Sequence, residues 1–135
     1  MKEEIKLKIS KNDLVKLLEK HYENKLGKKI KISITTTKEY VGFYETEEIV
    51  TRIKFETKET MMDEVFGKIE HTIIHSIDES DIKEVLSEHL REKGYIVDSI
   101  SYDQYKDYDR KFYGFRGIEA TLKRKVLTKK LSIWK

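Results

Sequence analysis

Neither cysteine nor proline occurs in the 135 residues of this chain. Without cysteine there can be no disulfide framework, thiol nucleophile or cysteine-ligated zinc site, and the redox state of the compartment stays open. Absent proline, together with abundant lysine, isoleucine and tyrosine, is a bias shared with AT-rich bacterial or mobile-element genes and constrains no fold. Glycine is scarce as well: the six are scattered, and none forms G-x-x-x-x-G-K or G-x-G-x-x-G, so a phosphate-cradling loop is excluded. No serine has the setting of a nucleophile elbow. Apolar runs reach only a few residues, against the roughly 20 a bilayer requires. The amino terminus is charged from Lys2 onward, with no signal-peptide apolar region. The expectation is a cytoplasmic protein without a membrane segment.

What is present suits a small globule with much surface. Apolar residues make up 38% and charged residues 39% of the chain, and the apolar ones are periodic, which argues against wholesale disorder. The length fits a single domain over residues 1–135 with a core of its own. The net charge of +3 hides a polarity. From Lys111 to the end, eight basic residues face one acid, which gives +7 and leaves residues 1–110 at 20 minus 24, or −4. Lys123, Arg124, Lys125, Lys129 and Lys130 are therefore the natural anion-binding candidates. The same lysines also suit a solvated last strand and tail.

Ile9, Asp13, His21 and Lys25 recur as Ile77, Asp81, His89 and Lys93 at one fixed offset. The spacing predicts a strand-helix-strand-strand unit that occurs twice. Ile5, Leu7 and Ile9 alternate with Lys6 and Lys8, as in a half-buried strand. Ser10, three residues before Asp13, then marks a helix start. Leu14, Leu17, Leu18, His21 and Tyr22 form one helical stripe, which Gly27 can end. Two strands follow, around Ile30, Ile32 and Ile34 and around Ile49, Thr51, Ile53 and Phe55, with a turn at Gly42.

The second half repeats the order. Ile69 to Ile77 alternate, Asp78 stands before Asp81 as Ser10 does before Asp13, and Ile82, Val85, Leu86, His89 and Leu90 restore the stripe that Gly94 closes. Ile96, Ile100 and Tyr102 form one later strand, and Ile118, Ala120 and Leu122 the other. Tyr113-Gly114-Phe115 echoes Val41-Gly42-Phe43 after a four-residue lengthening of the hairpin. The organisation is repeat 1 at about 1–56, a connecting segment at 57–67, repeat 2 at about 68–125 and a basic apolar tail at 126–135. Met61, Met62, Val65 and Phe66 stand at helical spacing in the connection, which reads as covering turns. Val126, Leu127, Leu131, Ile133 and Trp134 make the tail a final strand or an arm, with Trp134 docked on the core. The fold class is α+β: two helices on one face of a mainly antiparallel sheet of six or seven strands, the halves related by an approximate twofold axis.

Candidate chemistry is sparse. His21 and His89 sit at the edges of apolar stripes, where a histidine more often packs and hydrogen-bonds than binds metal. His71 and His75, on one strand, would be separated by roughly 13 Å, too far to share an ion. Carboxylates such as Glu45, Glu47 and Glu48, or Asp103, Asp107 and Asp109, are close in sequence, but acid-base work needs a pair across a cleft.

The segment from Tyr102 to Arg116 is the densest in interaction chemistry. Tyrosine and arginine cover large areas with few rotatable bonds, which makes Tyr102, Tyr105, Tyr108, Arg110, Lys111, Tyr113 and Arg116 the partner-binding candidates. The expected function is a small non-enzymatic interaction protein, such as a mobile-element or phage accessory or inhibitor protein, that docks on a larger protein or nucleoprotein through this hairpin and the basic end. A nucleic-acid-binding module is the first alternative, opposed by the three aspartates. A metal-dependent enzyme with a cup-shaped site is the second. No catalytic residue, cofactor or metal ligand is assigned, and sheet edges offer a route to a homodimer.

Overall fold

The computed structural model describes residues 3–125. They form two helices and six strands in the order β1 (Ile5–Ser10), α1 (Lys11–Leu26), β2 (Ser33–Val41), β3 (Thr46–Asp63), β4 (Gly67–Ile77), α2 (Glu79–Arg91), β5 (Tyr95–Asp107) and β6 (Phe112–Arg124). The class is α+β, and each strand pair is antiparallel.

Both helices start where the side-chain acceptors stand. Ser10 is extended and accepts a hydrogen bond from the Asp13 amide at 3.2 Å. Asp78 accepts from the Asp81 amide at 2.8 Å while the Asp81 carboxylate accepts from the Asp78 amide at 3.0 Å, a reciprocal box. Gly27 ends α1 in the left-handed region, φ 71°, and donates its amide to Glu23 O at 2.8 Å. Past that cap, the Glu23 and Glu19 carboxylates accept from the Ile30 and Ile32 amides, both at 3.2 Å. The helix thus supplies the bonds a neighbouring strand would have given this stretch, and Ile30 and Ile32 turn into the core.

The six strands form two sheets of three, in orders β1-β6-β5 and β2-β3-β4, and not one continuous sheet. This corrects the expected six- or seven-stranded sheet. Alternation reports which side chains point inward, but it does not say which strand lies alongside. Here β1 of the first half pairs with β6 of the second, and β4 of the second with β3 of the first. The strand order is that of two βαββ units, each lending its first strand to the other's sheet; a rotational relation between the halves remains an expectation from sequence. A seventh strand would fall in the tail, which lies outside the described residues with Val126, Leu127, Lys129, Lys130 and Trp134.

The connecting segment also differs from expectation. Residues 57–63 and 67 belong to β3 and β4, joined by a three-residue turn after Asp63. The Asp63 carboxylate accepts from the Val65 and Phe66 amides at 2.8 and 2.9 Å, and Gly67 takes φ 74°. Met61 and Met62 therefore point to opposite faces of a strand, and the helical spacing of the apolar residues is coincidental.

The hairpin comparison changes as well. Ile9 pairs with Ile118 and Ile77 with Ile53, so Ile118 and Ile53 occupy matching places. From Ile34 to its partner Ile53 is nineteen positions, and from Tyr102 to its partner Ile118 sixteen. The second hairpin is the shorter one. Gly42 lies in a turn at φ 85°, whereas Gly114 lies inside β6, so the two X-Gly-Phe triplets are not equivalent.

One core joins the halves. Leu14 and Leu18 of α1, Ile82 and Leu86 of α2, Ile53 and Phe55 of β3 and Ile118, Ala120 and Leu122 of β6 are all buried in a single cluster. Burial of each such leucine or isoleucine contributes about 2 kcal/mol.

Candidate interaction surface

Two hairpin arms run outward side by side, β2–β3 and β5–β6. The residue that clamps them is Gln104. Its side-chain amide meets the Thr51 hydroxyl at 2.6 Å. With the amide oxygen toward Thr51 and the nitrogen toward Ile49 O at 3.2 Å, both ends are satisfied and the side chain imitates the peptide of an adjacent strand. Farther out, Lys38 hydrogen-bonds Glu47 at 3.0 Å, which raises the Lys38 pKa and lowers that of Glu47. Lys106, across on β5, lowers Glu47 further. Its ammonium sits 5.0 Å from the Tyr108 ring centre and 5.6 Å from that of Tyr113, so the arms face each other through a mixed aromatic and charged layer.

On the opposite face of the β5–β6 arm, Tyr105 lies across Gly114, where any side chain would displace its ring. The Arg116 guanidinium stacks 4.6 Å from the Tyr105 ring centre and reaches Asp103 at 3.8 Å. Phe112 meets the edge of Tyr105 at 6.0 Å. This face is prepacked, with ring and cation already held in place.

The arms end in turns that leave large apolar groups in solvent. Phe43 is 94% exposed, Tyr44 88% and Tyr108 79%, while Tyr40, Val41 and Phe112 are exposed to a lesser degree. A turn cannot fold its own aromatics back onto the core, so Phe43 and Tyr44 have only each other, edge to face at 5.4 Å. The Asp107 carboxylate fixes the second turn by accepting from the Asp109 and Arg110 amides, both at 3.1 Å.

The seven partner-binding candidates therefore divide. Tyr108, Arg110 and Lys111 lie at the exposed turn, and Tyr105, Tyr113 and Arg116 lie along the arm. Tyr102 is half-buried against the core: its ring packs edge to face on buried Phe115 at 5.6 Å. Burial, and then the charges of Glu79, Asp78 and Asp81 at the start of α2, push its pKa up to about 12. Phe43 and Tyr44 escape the sequence reading. The signal was present, since two adjacent aromatics follow a turn glycine, where a strand reading would bury one of them.

Two of the three basic candidates among the described residues are matched by acids. Lys123 pairs with Asp98 at 3.5 Å and Arg124 with Glu3 at 3.2 Å, while Lys125 is exposed and gives its amide to Gly94 O at 2.8 Å. Lys129 and Lys130 lie outside the described residues.

His21 and His75 are held by neighbours. His21 packs its edge on Tyr22 at 4.8 Å and faces Glu88 at 3.6 Å in the groove between the helices; His89 lines the outer part of the same groove. His75 stacks on Phe55 at 4.5 Å and bonds the buried Thr57 hydroxyl at 2.8 Å through Nε2. Among the described residues no three of the histidine and carboxylate side chains gather in a way that could hold a metal ion, and no helix is long and apolar enough to cross a membrane. Compared with known proteins, the chain matches no family model, no curated sequence and no solved structure.

Proposed function

We propose that this protein is a non-enzymatic docking module that binds a larger protein through the ends of its β2–β3 and β5–β6 arms. The observation that carries the reading is the exposure of large rings at the ends of two arms clamped to each other: Phe43 and Tyr44 in one turn and Tyr108 in the other, with Tyr40 and Phe112 on the adjoining strands. Exposed aromatics on a rigid support are what an interface uses as anchors, because their ordering has already been supplied by the fold. A protein fits better than a nucleic acid. Glu45, Glu47, Glu48, Asp107 and Asp109 stand among Lys38, Lys106, Arg110 and Lys111, and this mixture would repel a phosphate backbone about as much as attract it.

The experiment is comparative. A partner is identified by affinity capture, purified, and titrated against the wild-type chain and a Phe43→Ser/Tyr44→Ser/Tyr108→Ser variant. The expected result is at least a hundredfold loss of affinity with an unchanged melting temperature, because the three rings stand in solvent. Equal affinity of both chains refutes the surface. Binding to mixed-sequence DNA or RNA that weakens steeply with salt favours the nucleic-acid reading instead.

A further inference from the structure

The four sheet edges are not alike. β1 is six residues long, and β5 is broken by two register shifts against β6. β2 lies beside β6. β4 differs from all of them. Its eleven residues pair with β3 without a bulge, and its other side makes no backbone hydrogen bond among the described residues. A long, straight edge presents a row of unpaired N–H and C=O groups, which proteins ordinarily shorten, bulge or cover.

We infer that this edge is covered by β4 of a second copy of the same chain, across a twofold axis at Thr72, so that two three-stranded sheets become one of six strands. The register is set by length: an antiparallel pairing that uses the whole strand places Thr72 opposite Thr72, Glu70 opposite Ile74, Lys68 opposite Ser76 and Gly67 opposite Ile77.

Side-chain chemistry agrees with that register. Even-numbered residues share the face away from the core. There Ile74, 58% exposed in the single chain, gains the aliphatic stem of Glu70 as a neighbour. Lys68 becomes the diagonal neighbour of Asp78, whose backbone is still extended at φ −97° and ψ −179°, so one ion pair forms on each side of the axis. On the core-side face, Ile69 meets His75 and His71 meets Ile73. All four are only half-buried in one chain, and no like charges oppose each other. A pairing offset from Thr72 would shorten the ladder and take Lys68 away from Asp78. The ladder would run about 36 Å, at roughly 3.3 Å per residue.

Because the chain has no cysteine, the test is direct. Sedimentation equilibrium of the wild-type chain should give a mass near twice the 16.1 kDa of one chain. Under mild oxidation Thr72→Cys should cross-link nearly completely, since opposed residues in an antiparallel pair bring Cα atoms to about 5 Å. Ile74→Cys and Glu70→Cys should each stay uncross-linked alone and cross-link when mixed. Thr72→Lys, which sets two cations on the axis, should yield a monomer with the wild-type circular dichroism spectrum. The Phe43→Ser/Tyr44→Ser/Tyr108→Ser variant should remain a dimer, which separates this inference from the docking surface. A monomeric wild-type chain, or equal cross-linking at all three cysteine positions, overturns the proposal; so does an edge occupied by another part of its own chain, which leaves the Thr72→Cys variant unlinked.

Discussion

Gly117 is the residue on which the joining of β1 to β6 turns. It stands opposite Ser10, at φ 150°, and a Cβ there would fall on the Ile9 carbonyl oxygen. That oxygen is backbone within a paired strand and cannot swing aside. Gly117→Ala should therefore cost about 3 kcal/mol, read as a shift of the urea midpoint. Gly114→Ala, three positions away, meets only the Tyr105 ring, which can rotate, and should cost about 1 kcal/mol; a reversed order would show that the close approach of β1 is not what fixes Gly117. Tyr102 makes a different prediction, in pH. Its folded pKa, about 12, lies above its ordinary value of 10.0, so the fold prefers the neutral phenol. Below pH 10 both states are neutral and the contribution is complete; between pH 10 and 12 the unfolded chain ionises first and stability falls. Tyr102→Phe should remove that part of the alkaline decline, measured as the difference between the two chains' unfolding free energies across the range. No difference would place the phenol in solvent. Neither residue's role could be read from the chain alone, because both depend on what the fold brings against them: a carbonyl from β1 in one case, burial and then the acids at the start of α2 in the other.

Helices and the alternation of strands were legible where the grouping of strands into sheets was not, for a physical reason. A helix declares itself within a dozen residues, through its stripe and its caps, and Ser10 with Asp13 and Asp78 with Asp81 stand where the spacing put them. The caps differ in strength. α2 has two reciprocal bonds and α1 one, so Asp78→Ala should cost about 1.5 kcal/mol and Ser10→Ala about 1 kcal/mol in thermal or urea unfolding. Asp78→Ala should also lower the Tyr102 pKa, since Asp78 is one of the charges that raise it. An unmoved tyrosine titration would separate the cap from the phenol. Three of the four pairings join consecutive strands, but β1 meets β6 from the far end of the described chain, and the break into two sheets follows from which edges meet. The β3–β4 turn misleads for a related reason: the spacing of Met61, Met62, Val65 and Phe66 implies burial, yet all four are exposed. The docking candidates were half legible, since composition marked Tyr105, Tyr108 and Arg110 but not Phe43 and Tyr44, whose exposure follows from the turn that holds them. What shapes the misread turn is Asp63, whose carboxyl is held below its ordinary range by the Phe66 and Val65 amides. Asp63→Ala should leave the melting curve almost unchanged while speeding hydrogen exchange at Val65 and Phe66. Exchange rates unaltered at both amides would mean that Gly67 alone sets the turn.

At the scale of the whole molecule, the decisive fact is that neither half owns a complete sheet. Residues up to the β3–β4 turn supply β1 to one sheet and β2 with β3 to the other; the rest supply β6 with β5 to the first and β4 to the second. Cutting the chain between Glu64 and Gly67 leaves each fragment with one strand of one sheet and two of the other, and splits the shared core. α1 in the first fragment would lose the β6 surface beneath Leu14 and Leu18, and Ile53 would lose its partner Ile77. Each exposed core side chain forfeits about 2 kcal/mol, so a few of them exceed the stability of an ordinary small domain. The fragments 1–64 and 67–135 should each be unfolded as monomers and should recover helical and sheet signal when mixed in equal amounts, with one cooperative melt. A fragment that folds by itself should do so by borrowing its missing strand from a second copy, and hence as a dimer, because the strand it lacks occupies the position its own first strand fills in the other half. Circular dichroism of the separate and mixed fragments, with sedimentation of any that fold, decides the matter: a folded, monomeric fragment would mean that the exchange of first strands is dispensable and that each half carries its own core.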